Sequence, residues 1–489
     1  MRHALLGVLV LVASCATPVS PSDAGSDVRS NDAVSIDAPA YVPPDTGPLG
    51  TALMPTMACT DVAAQLYATP AGLSPFTVGV RGNLLGCSLI ETIRPADLRT
   101  RLAGIPDLVL NGGSVRVYLI AYRTEREPRG VGGISTALVY LPDAPIGERV
   151  PMVLAAHGTV GLDDHCAPSH LIHDPTSFLP QTYLDALLLA WAARGMPVVA
   201  PDYAGLGTEG VHGFTNWLDP ARSAIDGVRA LRSMLPAARL TGDTLVYGHS
   251  QGGGVAFTVA ALASEAPDVH LAAIVAMSPG YRFFSSLTLI GSRGIALTPT
   301  IRAFTAMMGL YADLANLSAD SAQWGTGFAA SVRDPVVMRA GTLCYFDAIT
   351  ALDTPATGYV PPATIGDLVD ATFGAAAAAC STGGSCAGLP GAWVARDMAN
   401  EPHLSPSGPP VLVLGSTDDD QLTIGQLGCA IQRVVHDGVT PDVCIVSGPN
   451  HLAMVSTTDA YGMAWALAAS SGSPRPPCAA STTSPHCRF

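Results

Sequence analysis

The sequence predicts an α/β fold built around a mostly parallel central sheet. Short apolar runs alternate with helix-like patterns from about residue 115 onwards, which is the order of elements in such a sheet. The later runs are uninterrupted over about four to six residues, as in parallel strands that are covered on both faces. One of them leads into the stretch TLVYGHSQGGG at 244–254, where a serine stands among glycines.

The strands and helices of this sheet can be placed in chain order. We expect strands at 114–123, 133–140, 152–156, 197–200, 244–247, 272–277, 411–414 and 443–446. The first two can pair as a hairpin. The expected helices are 183–194, 220–235 and the small-residue helix 252–264. In the second helix, Ala224, Val228 and Leu231 fall on one face at three- and four-residue steps.

A long insertion interrupts the predicted sheet. The chain has 489 residues, which is long for one unelaborated domain. Roughly 130 mostly helix-like residues separate the strand at 272–277 from the strand at 411–414, and a segment of that length is a functional insertion or a separate layer. We therefore expect a first core part at 51–280, a helical cap at 281–408, and a second core part with a C-terminal tail at 409–489. The alternative is that the segment belongs to the core.

Composition and charge exclude one class of partner. The formal net charge is -14, and no basic patch occurs, so we expect no nucleic acid among the partners. Charged residues make up only 13% of the chain, against roughly 25% in ordinary soluble domains.

The first fifteen residues, MRHALLGVLVLVASC, have the pattern of an export signal. A basic residue precedes an apolar run that is too short to span a membrane. The last four, VASC, resemble the lipobox of bacterial lipoproteins, in which the cysteine, here Cys15, is lipidated and becomes the mature N-terminus. An ordinary signal peptide is the alternative. Residues 16–50, rich in Ser, Asp, Pro and Ala, suit a disordered tether between membrane and domain.

The cysteine count indicates disulfides. The chain has eleven cysteines. If Cys15 carries a lipid, the other ten can pair, and an even number of cysteines is usual in exported proteins with disulfides. The sequence does not determine the connectivity, and the close pairs that we take as candidates are Cys380 with Cys386, Cys429 with Cys444 and Cys478 with Cys487. None of these pairs has the CxxC spacing of a structural zinc site, so we expect no metal there.

The glycines around Ser250 predict a nucleophile. In G-x-S-x-G, the serine lies on a sharp strand-to-helix turn, and Gly248 and Gly252 avoid side-chain clashes at that turn. The same pattern also occurs where a strand simply ends before a helix. Other residues of the chain are therefore needed to distinguish a nucleophile from a strand end.

A serine nucleophile needs a base and an acid that orients the base, and in this kind of fold both follow the serine at later strand ends. The strand at 411–414 runs into STDDD, which contains Asp418, Asp419 and Asp420, and the strand at 443–446 runs into PNH, which ends in His451. Their order and placement both fit an acid followed by a base.

The donors for the developing oxyanion can be placed as well. One is the backbone N–H of Gln251, the residue after the serine, and the other comes from the loop after the strand at 152–156, where we expect Thr159. His157 in that loop is a second candidate base, but it precedes the serine and lies on the oxyanion side, so we favour His451.

Several motifs together resemble one family. The series AAHGTVGLDDHCAPS, VVAPDYAGLGTEGVHGF, YGHSQGGG, LGSTDDDQL and GPNH is similar to the bacterial secretory lipases of the Candida antarctica lipase A type, within the α/β-hydrolase superfamily. The resemblance covers roughly residues 110 to 470 and implies ester hydrolysis and a helical lid between nucleophile and acid.

Carried over by position, the resemblance makes Ser250 the nucleophile, His451 the base and Asp418, in a G-x-x-D pattern after Gly415, the acid. The D-x-x-V-P stretch that often follows such acids fits better if Asp419 is the acid, so Asp419 remains the alternative.

The expected protein is thus an exported serine esterase or lipase that requires no cofactor or metal. We expect an ester or lipid substrate, a monomer, and attachment to the cell envelope through lipidated Cys15, or otherwise secretion. Two alternatives remain: an exported peptidase or amidase with the same triad, and a non-catalytic surface scaffold on a hydrolase fold.

Overall fold

A nine-stranded sheet forms the centre of the computed structural model. The structure describes residues 49–478 except 128, 172–180, 215, 281–290, 317–324, 382–385, 389, 393–394, 396–398, 400 and 423. The strands are β1 Leu84–Ile93, β2 Val115–Arg126, β3 Val131–Pro142, β4 Val150–Ala156, β5 Val198–Pro201, β6 Leu240–His249, β7 His270–Met277, β8 Val411–Ser416 and β9 Asp442–Val446. The predicted export signal, Cys15 and nearly all of the predicted tether lie outside the described residues.

The sheet is mostly parallel, as predicted. Its order is β1-β2-β3-β5-β4-β6-β7-β8-β9. β1, β2, β3 and β5 are antiparallel neighbours, including the predicted hairpin of β2 and β3, and every pair from β5 to β9 is parallel. Because β4, β6, β8 and β9 run in the same direction, the loops that follow Ala156, His249, Ser416 and Val446 lie along the same edge of the sheet.

The sequence did not predict β1. Its residues, LLGCSLIETI, do not alternate cleanly between apolar and polar, and its pairing with β2 shifts register between Leu84 and Gly86 and again between Leu89 and Glu91. Such irregularities remove the two-residue period by which a half-buried strand is recognised.

Helices cover both faces of the sheet. In chain order they are α1 Pro95–Arg101, α2 Pro168–Leu171, α3 Gln181–Leu184, α4 Ala190–Ala193, α5 Leu218–Met234, α6 Gln251–Ala261, α7 Pro299–Asn316, α8 Arg333–Thr342, α9 Tyr345–Asp353, α10 Ile365–Leu368, α11 Ala371–Ser381, α12 Ile424–His436 and α13 Ala453–Ser471. A π-helical segment, Asp185–Leu189, joins α3 to α4, so the predicted helix at 183–194 is interrupted. α5, α6 and α12 pack on one face, and α1, α3, α4 and α13 pack on the other. Among the described helices, none has both the length and the apolarity needed to cross a membrane.

The helices α7 to α11 belong to the segment between β7 and β8, residues 278–410, which we call the insertion. It has an apolar cluster of its own, with Met307, Leu310, Phe328 and Leu352 buried in it. Phe214, from the loop before α5, joins this cluster and so connects the insertion with the sheet domain.

Four disulfides are described: Cys59–Cys87, Cys166–Cys344, Cys380–Cys386 and Cys444–Cys478. The predicted pair Cys380–Cys386 is therefore confirmed. The predicted pairs Cys429–Cys444 and Cys478–Cys487 are wrong, because the chain after α13 returns to β9 and brings Cys478 to Cys444.

A buried network of ion pairs fastens the segment before β1 to the sheet and to α5. Arg81 contacts Glu125 at 3.0 Å and Asp226 at 3.1 Å, and all three side chains are buried. Asp226 also accepts a hydrogen bond from Thr124 at 2.8 Å and pairs with Arg229 at 2.6 Å. The carboxylate of Asp226 is thus the centre of the network.

We expect Asp226→Ala to lower the free energy of unfolding by about 3–5 kcal/mol, because it leaves the buried Arg81 charge without this partner. Urea denaturation with the disulfides intact measures the effect. Asp268→Ala is the matched control: Asp268 also pairs with Arg229, but its side chain is 44% exposed, and we expect a loss below about 1 kcal/mol. Equal losses in the two variants would contradict the prediction.

Candidate active site

Ser250 lies at the turn between β6 and α6, in a backbone conformation that residues other than glycine rarely adopt. Its φ is 57° and its ψ is -118°. Two hydrogen bonds hold this turn against the end of β7 and the residues after it. The Ser250 N–H donates to the Met277 carbonyl at 2.9 Å, and the Ser250 carbonyl accepts from the Gly280 N–H at 2.8 Å. The side chain is half-buried at the carboxyl edge of the sheet. This is the elbow geometry that the G-x-S-x-G pattern predicts.

The two glycines of the elbow are required by close backbone contacts. A Cβ atom at Gly248 would lie 2.1 Å from the carbonyl oxygen of Gly252, and one at Gly252 would lie 2.0 Å from the carbonyl oxygen of Ala156. Both distances are far below van der Waals contact. The backbones of β4, β6 and α6 therefore meet with no space for a side chain.

His451 lies in the turn between β9 and α13 and pairs with Asp419. Its Nδ1 is 2.8 and 3.0 Å from the two carboxylate oxygens of Asp419, and both side chains are 2% exposed. Its backbone N–H donates to Asp420 at 3.1 Å. Because an ionised carboxylate only accepts, Nδ1 carries the proton, and Nε2 is left as the basic nitrogen.

Asp418, predicted first as the acid, occupies a different position. Its carboxylate is exposed and accepts hydrogen bonds from the Gly448 N–H at 2.7 Å and from the Thr417 hydroxyl at 2.8 Å. These two bonds lower the pKa of Asp418. The structure thus places Asp419, the predicted alternative, rather than Asp418, where an acid would orient His451.

Local hydrogen bonds explain why Asp419 faces inward. Its Oδ1 accepts from the backbone N–H groups of Gln421 at 2.9 Å and Leu422 at 2.7 Å, so the chain turns tightly around this carboxylate. Burial would raise the pKa of Asp419, but the hydrogen bonds from His451, Leu422 and Gln421 lower it to about 2. The Asp419 carboxylate is therefore ionised at neutral pH.

The loop after β4 lies directly beside Ser250. A Cβ atom at Gly158 would be 3.3 Å from the Cβ of Ser250. The Gly158 N–H donates to the Tyr183 hydroxyl at 3.2 Å, whereas within the described residues the Thr159 N–H has no acceptor. Gln251 is the first residue of α6, so its N–H has no acceptor within the helix. The amides of Thr159 and Gln251, the predicted oxyanion donors, are both available.

His157, the other candidate base, is directed away from this chemistry. Its Nδ1 lies 2.6 Å from the Gly158 carbonyl and its Nε2 lies 3.3 Å from the Asp202 carbonyl. Its ring stacks on that of Tyr203, with centroids 4.3 Å apart. Burial lowers the pKa of His157. The ring supports the loop after β4 from behind.

The carboxylate of Asp202, in the motif APDYAGLG, also supports this side of the site. It accepts hydrogen bonds from the Thr136 hydroxyl at 2.6 Å and from the hydroxyl and N–H of Ser169 at 2.6 and 2.9 Å. The bonds to Ser169 fix the CAPS segment against β5. The Asp202 carboxylate therefore holds the loop after β5 and the CAPS segment together.

Two buried residues that we did not single out from the sequence also contact the site. Tyr183, at the end of α3, binds Gly158 and His249, and His249 in turn contacts the carbonyl of His451 at 3.0 Å. No motif marks Tyr183. His249 stands inside the elbow motif, but that position carries no residue preference by which it could have been found.

The described residues include one group with the composition of a metal site: His165, Cys166 and Cys344. The two cysteines form a disulfide, so neither sulfur is a thiolate that could bind an ion.

Comparison with known proteins agrees with this geometry. Residues 178–281 match the model of the secretory lipase family, which confirms the resemblance seen in the sequence motifs. No curated protein matches significantly. Among solved structures, the rice cell wall degrading esterase LipA from Xanthomonas oryzae is 18% identical over 80% of this chain and 96% of its own, with a TM-score of 0.58. Candida antarctica lipase A in its closed state is 16% identical over 88% of this chain and 91% of its own, with a TM-score of 0.58. These likenesses establish the α/β-hydrolase fold.

We expect Asp419→Asn to slow the reaction of Ser250 with a fluorophosphonate by about a thousandfold, because an amide does not enforce the productive imidazole tautomer. Asp418→Asn, one residue away and equal in chemistry, should change the rate by less than about threefold. Rates of in-gel labelling of the two folded variants give the comparison. A larger loss in Asp418→Asn would reverse the assignment.

Proposed function

We propose that this protein is an exported serine hydrolase that cleaves carboxylic esters through an acyl-enzyme on Ser250. The observation that carries the proposal is the pairing of His451 with Asp419 at the strand edge that also presents Ser250 in the elbow conformation. A nucleophile, a base and an orienting acid on three neighbouring loops form the arrangement that acyl transfer needs.

In the proposed reaction, the Ser250 hydroxyl oxygen attacks the ester carbonyl while its proton passes to His451 Nε2. The carbonyl oxygen becomes an oxyanion and accepts hydrogen bonds from the Thr159 and Gln251 N–H groups. His451 then gives its proton to the departing alcohol, which leaves the acyl group on Ser250. Water then attacks this acyl-enzyme and gives a proton to His451, and His451 passes that proton to the Ser250 oxygen as the bond to the acyl group breaks and the carboxylic acid leaves.

Asp419 keeps the imidazole in one orientation throughout this cycle. It stays ionised and stabilises the imidazolium that forms when His451 takes the proton. Hydrogen bonds from His451 and from the backbone N–H groups of Leu422 and Gln421 keep it ionised in a buried position.

An acyl ester is the substrate class that the surroundings of the site favour. The insertion, here proposed as a cap, carries partly buried apolar side chains such as Phe304 and Phe346 on its cluster, and Leu162 from the loop after β4 packs with them. Such a surface suits an acyl chain more than a peptide backbone, which needs hydrogen-bond partners. The two structural neighbours named above are described as an esterase and a lipase.

Export and a lipid anchor complete the proposal. The N-terminal sequence, which ends in VASC at 12–15, has the signal pattern described above, and the four disulfides suit an oxidising compartment.

We expect Ser250→Ala to lower the hydrolysis of p-nitrophenyl acyl esters by at least about four orders of magnitude, since it removes the nucleophile itself. Ser264→Ala, an exposed serine just beyond α6, is the control and should retain full activity. Mass spectrometry should locate the fluorophosphonate adduct on Ser250. Full activity in Ser250→Ala would refute the mechanism.

The same preparation separates the proposed ester hydrolase from the two alternatives. Faster cleavage of peptide substrates than of acyl esters would favour a peptidase. A folded wild-type protein that reacts with no fluorophosphonate, even with detergent or lipid present, would favour a non-catalytic scaffold.

Lipidation of Cys15 is tested on the mature chain isolated from an expressing bacterium. Mass spectrometry should find an acylated cysteine as the first residue, and Cys15→Ser should move the protein from the membrane fraction to the soluble fraction. A mature N-terminus at another residue, without acylation, would leave ordinary secretion as the correct description.

A further inference from the structure

A chain of hydrogen bonds connects three loops of the proposed catalytic site. The Gly158 N–H donates to the Tyr183 oxygen at 3.2 Å, the Tyr183 hydroxyl lies 2.9 Å from His249 Nδ1, and His249 Nε2 lies 3.0 Å from the His451 carbonyl. All four residues are buried. The chain therefore runs from the loop of the oxyanion donors, past the residue before Ser250, to the base.

The direction of each hydrogen bond follows from the ends of the chain. The His451 carbonyl can only accept, so His249 Nε2 carries the ring proton. His249 Nδ1 is then an acceptor, so Tyr183 donates its hydroxyl proton to it. The Tyr183 oxygen remains free to accept from the Gly158 N–H. Burial and the neighbouring His451 lower the pKa of His249 well below its ordinary value, which keeps the ring neutral.

We propose that Tyr183 and His249 are positioning residues, which hold the oxyanion loop and the loop of His451 in register with Ser250. This inference rests on the proposed function, since it concerns the geometry of the same reaction. Neither residue exchanges a proton with the substrate.

Close contacts show how tightly these loops are held. A Cβ atom at Gly158 would lie 2.9 Å from the Tyr183 hydroxyl oxygen, so the loop backbone rests directly on the tyrosine. The rings of His249 and His451 have their centroids 4.5 Å apart. Because Gly158 gives its N–H to Tyr183, the next amide, that of Thr159, is the one left for the oxyanion.

Loss of the Tyr183 hydroxyl would leave two buried polar groups, the Gly158 N–H and His249 Nδ1, without these partners. A buried group that loses its partner can recover one only if the backbone or a neighbouring side chain moves. Such a movement displaces the Thr159 N–H relative to Ser250, and catalysis is sensitive to small displacements of that kind. Binding of the acyl chain, which the proposal assigns to the cap, should be affected much less.

The test is Tyr183→Phe, which keeps the ring and removes the hydroxyl. With a p-nitrophenyl acyl ester we expect kcat to fall about tenfold and KM to change by less than about twofold. Tyr122→Phe is the matched control, since Tyr122 is also fully buried and its hydroxyl donates to the Ser223 carbonyl at 2.9 Å, outside this chain of bonds. Tyr122→Phe should lower the urea midpoint about as much as Tyr183→Phe does, while its kcat changes by less than about twofold.

A second variant, His249→Leu, removes both ring nitrogens, and with them the donor to the His451 carbonyl and the acceptor for the Tyr183 hydroxyl. If the two residues act through one chain of bonds, the double variant should lose about as much kcat as the worse single variant, rather than the product of both losses.

An unchanged kcat in Tyr183→Phe, an effect on KM alone, or an equal loss of kcat in Tyr122→Phe would overturn the inference. Labelling of wild-type Ser250 by a fluorophosphonate keeps this outcome separate from failure of the proposed function. If the wild-type protein is labelled and Tyr183→Phe retains its kcat, only the positioning role is wrong.

Discussion

The close backbone approach at Gly248 and Gly252 is the constraint on which the site depends. A side chain at either position would lie within 2.1 Å of a carbonyl oxygen of α6 or β4. Since these three elements meet without intervening side chains, Ser250 adopts its left-handed conformation and the first turn of α6 lies beside the loop after β4. Parallel pairing then brings the ends of β8 and β9 to the same edge. The order of the sheet thus assembles residues that are far apart in the sequence.

Burial distinguishes the histidines around Ser250 from one another. It lowers the pKa of His157, lowers that of His212 to about 3, and holds that of His249 well below its ordinary value. His157 and His249 place ring nitrogens against backbone carbonyls, and His212 contacts the side-chain amide of Gln251 at 3.1 Å. Among these four buried histidines, His451 is the one whose partner is a carboxylate. A base needs such a partner to stabilise its protonated form, so the electrostatics agree with the geometry.

The sequence predicted the fold and the sheet edge on which the candidate site lies, because apolar runs and the G-x-S-x-G turn depend on local residues. It missed β1, where bulges remove the strand period. It did not show which of Asp418 and Asp419 faces His451, since that one-residue difference depends on the hydrogen bonds of the turn. Tyr183 and the Cys444–Cys478 disulfide were not predictable either, because both depend on how distant segments pack.

The middle of the insertion contacts both sides of the site. Cys344 is bonded to Cys166, and the N–H of the next residue, Tyr345, donates to the Val160 carbonyl at 2.8 Å in the loop after β4. The Tyr345 hydroxyl reaches Gln421, beside the proposed acid, at 3.4 Å. A displacement of this segment would therefore disturb the loop that carries Thr159 and the loop that carries Asp419 together.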